Sequence, residues 1–209
     1  MLIRCFVFFL LICEKGYDGC VRNYRNNRAL YETGTPYIRN ANVQWDRLDL
    51  TSVYSMNVSE EDIDKLMLES GDILVCEGGD IGKSAIWNNE IPGAIYQKAL
   101  HRIRVDRSLV ELRFLLYHIF WASEQGHFSD IKTQTTIAHL TGVKLKAYSV
   151  FVPSLAEQRN IVTYLDNLQA KVDSLKRLQT ETAAELNAML PSILDKAFQG
   201  KLFAFLSEK

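Results

Sequence analysis

A chain of 209 residues with 47% hydrophobic and 23% charged residues has the makeup of one globular domain plus an extended element, which excludes a multidomain machine, a fibre and wholesale disorder. Four cysteines, Cys5, Cys13, Cys20 and Cys76, form no C-x-x-C pair, so a disulfide scaffold and a zinc module are excluded and the thiols read as reduced. The formal net charge of −1 hides a segregation: residues 1–48 and 81–150 are basic on balance, residues 49–80 are strongly acidic and residues 151–209 are neutral. The two basic segments are either ordinary solvated faces or the local positive footprint that nucleic-acid binding needs.

At the amino end, the apolar run Cys5 to Ile12 behind Arg4 has the charged start and apolar centre of a signal peptide. It is far shorter than the roughly 20 residues a membrane-spanning helix requires, and no small-x-small cleavage site follows it. A buried strand, or a stretch preceding the natural start of the domain, is the expectation, with a cytoplasmic location and no membrane partner. Residues 1–30 are accordingly set apart as an atypical amino-terminal segment.

Residues 31–152 read as an α+β body. Tyr37-Ile38-Arg39 and Ile73 to Cys76 have the β-branched and aromatic content of strands, the second entered from the turn Ser70-Gly71-Asp72. Between them Ser59 caps a helix whose first turn, Glu60-Glu61-Asp62, suits the helix dipole and accounts for much of the acidic segment. The string Gly78-Gly79-Asp80-Ile81-Gly82-Lys83-Ser84 has the outline of a phosphate-binding loop. Position 77 is Glu77 rather than glycine, and Ala85-Ile86-Trp87 continues as a strand rather than a helix. A glycine hairpin with Lys83 near its tip is the better account, since glycine lets a backbone approach DNA closely. Leu109 to Ser123 is apolar on nearly all sides and predicts a buried helix in which His118 is a core or edge residue. Val143, Leu145, Tyr148, Val150 and Val152 predict extended structure leading into Pro153. The four histidines lack H-x-x-x-H spacing and there is no G-x-S-x-G elbow, so neither a catalytic nor a metal site is expected.

Residues 153–209 begin with a capping box, Ser154 and Glu157. Beyond it Ile161, Leu165, Leu168, Val172, Leu175, Gln179, Thr182, Leu186, Met189 and Ile193 alternate steps of four and three, the seam of a coiled coil. A helix from about Leu155 to Leu190 is expected, about 54 Å long at about 1.5 Å per residue, with Pro191 interrupting it and Gly200 a natural stop. Such a seam needs a partner helix, unless it folds back on its own domain.

In order, Pro36-Tyr37-Ile38-Arg39, Gly71-Asp72-Ile73-Leu74, Gly82-Lys83, Thr133-Gln134-Thr135-Thr136-Ile137 with Leu140, Val152-Pro153-Ser154-Leu155-Ala156-Glu157-Gln158 and Ala197-Phe198-Gln199-Gly200-Lys201-Leu202 resemble the DNA-specificity subunits of type I restriction-modification systems. The resemblance implies a mixed α/β target-recognition domain, reading half of a split DNA sequence, followed by a long C-terminal coiled-coil-forming α-helix. It implies double-stranded DNA and methyltransferase subunits as partners, a restriction and translocase subunit through the complex, and no cofactor or catalysis in this chain. Family members usually carry two recognition domains and two spacer helices. This chain has room for one of each, so the expectation is a half-subunit that pairs with a copy or a second recognition domain through antiparallel helices, or a fragment. Candidate DNA-binding residues are Lys83, Gln97, Lys98, Arg102, Arg104, Lys132, Gln134, Thr135 and Thr136, with Arg39, Asn40 and Asn42 behind them. Ile161, Leu165, Leu168, Val172, Leu175, Leu186, Met189 and Ile193 form the candidate partner face. A plain coiled-coil interaction module, an enzyme and a nonfunctional truncated remnant are the competing readings.

Overall fold

The computed structural model describes residues 14–15, 34–128 and 139–199. They fall into two compact units divided between Val162 and Thr163. The first is α+β. Its main sheet has four strands in the order β1-β9-β6-β7, with β1 Glu14–Lys15, β6 Ile73–Cys76, β7 Ser84–Ile86 and β9 Leu100–Ile103, all antiparallel neighbours. A three-stranded sheet joins β2 Thr35–Ile38 to β5 Tyr54–Met56 and, in parallel, to β8 Ile95–Tyr96. A small hairpin pairs β3 Val43–Gln44 with β4 Arg47–Leu48.

Every residue of β6 and β9 is buried, which the alternation of a strand between its two faces explains. Ile73 and Val75 enter one core with Ile103, and Leu74 and Cys76 enter a second with Ala85 and Trp87. Helix α2, Leu112–Glu124, closes the first core with Phe114, Leu115, Leu116, Ile119 and Ala122. The second core is filled by β2 and β8 through Tyr37, Ile38, Ile95 and Tyr96. Burial pushes the Cys76 thiol up to about 12, so this cysteine is an unreactive core group.

Local chemistry sets the helix starts. Ser59 caps α1, Glu60–Leu66, by accepting the Asp62 amide. Ser154 and Glu157 close the expected capping box at the start of α4, Leu155–Phe198. The Ser154 hydrogen bonds hold the Glu157 carboxyl below its ordinary range.

Three expectations are corrected. The segment read as extended from Val143 contains a helix, α3, Gly142–Ala147, because Thr141 caps it by accepting the Lys144 amide; Val143 faces solvent and Leu145 the core. Helix α2 is apolar on nearly all sides but not buried all round: Phe120 and Trp121 are exposed, and the helix begins at Leu112 rather than Leu109. Helix α4 does not stop at Pro191 but carries it as an internal residue through to Phe198, 44 residues or about 66 Å at about 1.5 Å per residue. One lost backbone bond is tolerated within so long a ladder. The apolar run 5–12, the Thr133 to Ile137 string and Gly200 lie outside the described residues.

Candidate nucleic-acid interface

The expected DNA-binding residues divide between the two ends of the main sheet. Because β6 and β9 are antiparallel, with Ile73 opposite Ile103 and Cys76 opposite Leu100, Arg104 emerges beside Asp72 while Gln97, Lys98 and the glycine loop lie at the other end. Four residues at about 3.3 Å each put roughly 13 Å between the two groups.

Arg104 at the Asp72 end, Arg102 within β9, and Arg39 and Asn42 either side of Asn40 all have partners inside the protein. Arg104 donates from Nε and Nη2 to the two Asp72 carboxylate oxygens at 2.7 and 2.8 Å, and from Nη1 to Glu69 at 2.8 Å. The hydrogen bonds to Asp72 hold the Arg104 guanidinium even more firmly protonated than usual. Arg102, expected at a DNA surface, is buried: its guanidinium donates to the Met67 carbonyl at 2.8 Å and lies over the Tyr96 ring. Arg39 lies 4.0 Å from the Tyr54 ring centroid and donates to the Ser52 carbonyl. Asn42 is buried and gives its amide to the carbonyls of Asp49 and Ser52. For Arg102, Asn42 and Arg104 the expectation of DNA contact does not fit the placement, because the first two are buried and the third is held by two carboxylates; Arg39 is half-buried and engaged by Ser52 and Tyr54.

At the opposite end several segments converge on the loop between β6 and β7. Gln97 and Lys98, both half-buried, occupy the tight turn entering β9; the Gln97 amide donates to Ile38 and the Leu100 amide to Gln97. Asn40 donates from its side chain to the Gly78 carbonyl at 2.8 Å. The Leu140 amide donates to the Glu77 carbonyl at 2.7 Å, and the Leu140 carbonyl accepts from Nε2 of the fully buried His101 at 2.6 Å. Lys132, Gln134, Thr135 and Thr136 lie outside the described residues.

The loop itself differs from the expectation in one respect. Residues 78–82 join antiparallel strands, as a hairpin and not a nucleotide-binding loop, but Lys83 sits at its base and Asp80 at its tip. The Lys83 side chain is 18% exposed and that of Asp80 74% exposed, and the two form an ion pair. Lys83 Nζ also donates to Gln44 Oε1 at 3.3 Å. Among the described residues no group of three or more His, Cys, Asp or Glu side chains could hold a metal ion.

The fold also brings together aromatic groups whose clustering the sequence did not indicate. His118 Nε2 lies 3.1 Å from the Tyr148 hydroxyl, and the His118 ring neighbours Trp121. Burial, with a smaller contribution from His127, lowers the His118 pKa below its ordinary value. Trp45 meets the edge of Phe120 with ring centroids 4.7 Å apart, and Arg113 clamps Asp46 of the same turn through two bonds of 3.0 and 2.9 Å.

Residues 14–184 match the family model of the type I restriction modification DNA specificity domain. The chain belongs to that family. The match takes in both the strands of the body and the first thirty residues of α4. The type I restriction enzyme EcoKI specificity subunit of Escherichia coli is 23% identical over 176 residues, and the EcoBI specificity subunit of Escherichia coli 30% identical over 175. These alignments cover 82% and 76% of this chain but 38% and 36% of the relatives, so the chain spans well under half of either protein's length. Among solved structures, a chain of a type I R-M system superimposes with a TM-score of 0.66 at 27% identity, covering 83% of this chain and 40% of that one. The HsdS subunit from Thermoanaerobacter tengcongensis does so with a TM-score of 0.57.

In this specificity-domain chain the second unit, from Thr163, is described by its own side chains. Along α4 the seam residues Ile161, Leu168, Val172, Leu175, Leu186, Met189 and Ile193 are exposed and Leu165 half-buried. Leu178, Leu190 and Leu194, off the expected seam, are exposed as well. Among the described residues no helix is long and apolar enough to cross a membrane.

Proposed function

We propose that this chain gives DNA sequence specificity to a type I restriction-modification complex, with residues 34–152 reading one half of a bipartite duplex site. The observation that carries the reading is the family match across both the body and the start of the long helix. The glycine hairpin with Gln97, Lys98 and Asn40 beside it supports a base-reading edge at that end of the sheet, and Lys132, Gln134, Thr135 and Thr136 are further candidates by residue type alone. Arg39, Asn42, Arg102 and Arg104 are assigned to the scaffold instead.

In this reading the chain performs no chemistry. Methyl transfer and cleavage belong to methyltransferase and restriction subunits, and lysines near the edge hold phosphates while amides and hydroxyls read bases. The exposed seam of α4 supports association with methyltransferase subunits and with a second recognition helix, from another copy or another specificity chain, in a cytoplasmic complex.

The test is selection from a randomised duplex library by the chain assembled with type I methyltransferase subunits. The expected result is enrichment of one bipartite motif. Assembly without enrichment, with binding that depends only on salt, would leave a protein-interaction module as the reading.

A further inference from the structure

The hairpin between β6 and β7 is held far more firmly than a solvated turn requires. Asn40 donates to the Gly78 carbonyl at 2.8 Å, Ser123 Oγ donates to the Ile81 carbonyl at 2.6 Å, and Ile81 packs against the first core. Inside the turn the Gly82 amide donates to Cys76 and the Lys83 amide to Asp80, both at 3.1 Å. Gly79 and Gly82 take φ of +74° and +80°, backbone that L side chains resist, and a Cβ on Gly78 would come within 3.0 Å of the His139 ring. The sequence at these positions therefore fixes the position of one exposed functional group, the Asp80 carboxylate.

A bare carboxylate at a DNA-facing edge would be repelled by phosphates. Here Lys83, mostly buried beneath it and steadied by Gln44, cancels the charge without itself reaching the tip. A neutralised pair that displays only acceptor oxygens has the chemistry to read a donor on a base edge. In the major groove cytosine presents its exocyclic amino group alone, a donor that carboxylates accept from.

We propose that Asp80 is a specificity-determining residue that accepts a hydrogen bond from the exocyclic amino group of cytosine in the major groove, with Lys83 as the positioning residue that neutralises it. The assignment rests on the proposed function above, and it gives this edge an acidic reader where residue type alone pointed to Lys83. Rigid presentation is what makes one such bond discriminating, since an immobile acceptor cannot turn aside when the donor is missing.

The experiment repeats the library selection with the methyltransferase-bound chain carrying Asp80→Ala, Asp80→Asn or Lys83→Met. Asp80→Ala should erase a cytosine preference at one position of one half-site, roughly ten-fold in relative enrichment, and leave the other positions intact. Asp80→Asn keeps the turn and offers a donor as well as an acceptor, so the preferred base at that position should move from cytosine to adenine. Lys83→Met should weaken binding to all sequences about equally. If the unaltered chain selects no motif, the proposed function fails and this assignment with it. If it selects a motif that both Asp80 variants reproduce at every position, the function stands and the assignment to Asp80 is wrong.

Discussion

Arg104 in the globular unit gives three donors to Asp72 and Glu69, whereas Leu175 in the terminal helix is 60% exposed. The contrast extends to the residues around them. In residues 34–162, arginines that look like DNA ligands by type are engaged within the fold. In residues 163–198, leucines that look like core by type are exposed along the helix. The described part of the body buries two cores of its own, and the glycine hairpin with Gln97 and Lys98 lies at one edge of its main sheet. The helix is complete only in its backbone bonds, and its apolar stripe is stabilised when something covers it.

The sharpest way to break this contrast is to remove the acid that engages an arginine. Asp72→Ala leaves Arg104 with Glu69 alone and the Glu69 amide without its partner, and a loss of about 3 kcal/mol in urea unfolding is expected. A loss within about 0.5 kcal/mol would show that Arg104 is free to serve as a phosphate ligand. Next comes Gln158, which is fully buried. It donates to the carbonyls of Leu109 and Pro153 at 2.9 and 2.8 Å and accepts the Glu111 amide at 2.8 Å, joining the starts of α2 and α4. Gln158→Leu should cost about 2 kcal/mol by leaving these groups unpaired, read by the same unfolding experiment.

Leu175→Asp probes the other side of the comparison. Unfolding of the body should change by less than about 0.5 kcal/mol, while sedimentation should show weakened association with a second chain or with methyltransferase subunits. A variant that assembles like the parent would mean the seam is not the contact. The smallest effect concerns pH. The His118 pKa lies below its ordinary 6.5 because burial disfavours the charged ring. The unfolded state therefore takes up the proton first, and stability falls as pH drops below about 6.5 toward the depressed folded value. Urea midpoints measured from pH 7.5 to 5 should decline, and His118→Gln should flatten that decline.

Much of this was legible in the sequence where signals are local. The Ser59 and Ser154 caps, strand Ile73–Cys76 and the seam steps are each written within a few adjacent residues. Val143 and Leu145 misled because a two-residue alternation also fits one short turn of helix whose cap, Thr141, lies just outside it. The internal partners of Arg39, Arg102 and Arg104 were illegible for a different reason. These partners lie 13 to 35 residues away, so residue type alone cannot separate a structural guanidinium from a phosphate ligand. The place of Asp80 at the hairpin tip was not legible because the tip is set by backbone angles at Gly79 and Gly82, not by the order of residues. Gln158 was visible only as part of the Pro153 to Gln158 string, and its two long-range bonds, to Leu109 and Glu111, carried no local signature.

The central claim is that this chain directs a modification complex to a particular split sequence. Co-expression with type I methyltransferase subunits in a host free of background methylation, followed by mapping of methylated bases across the genome, tests it directly. The account predicts methyl groups confined to one bipartite motif. Methylation scattered without a motif, from a complex that contains the intact chain, would contradict it.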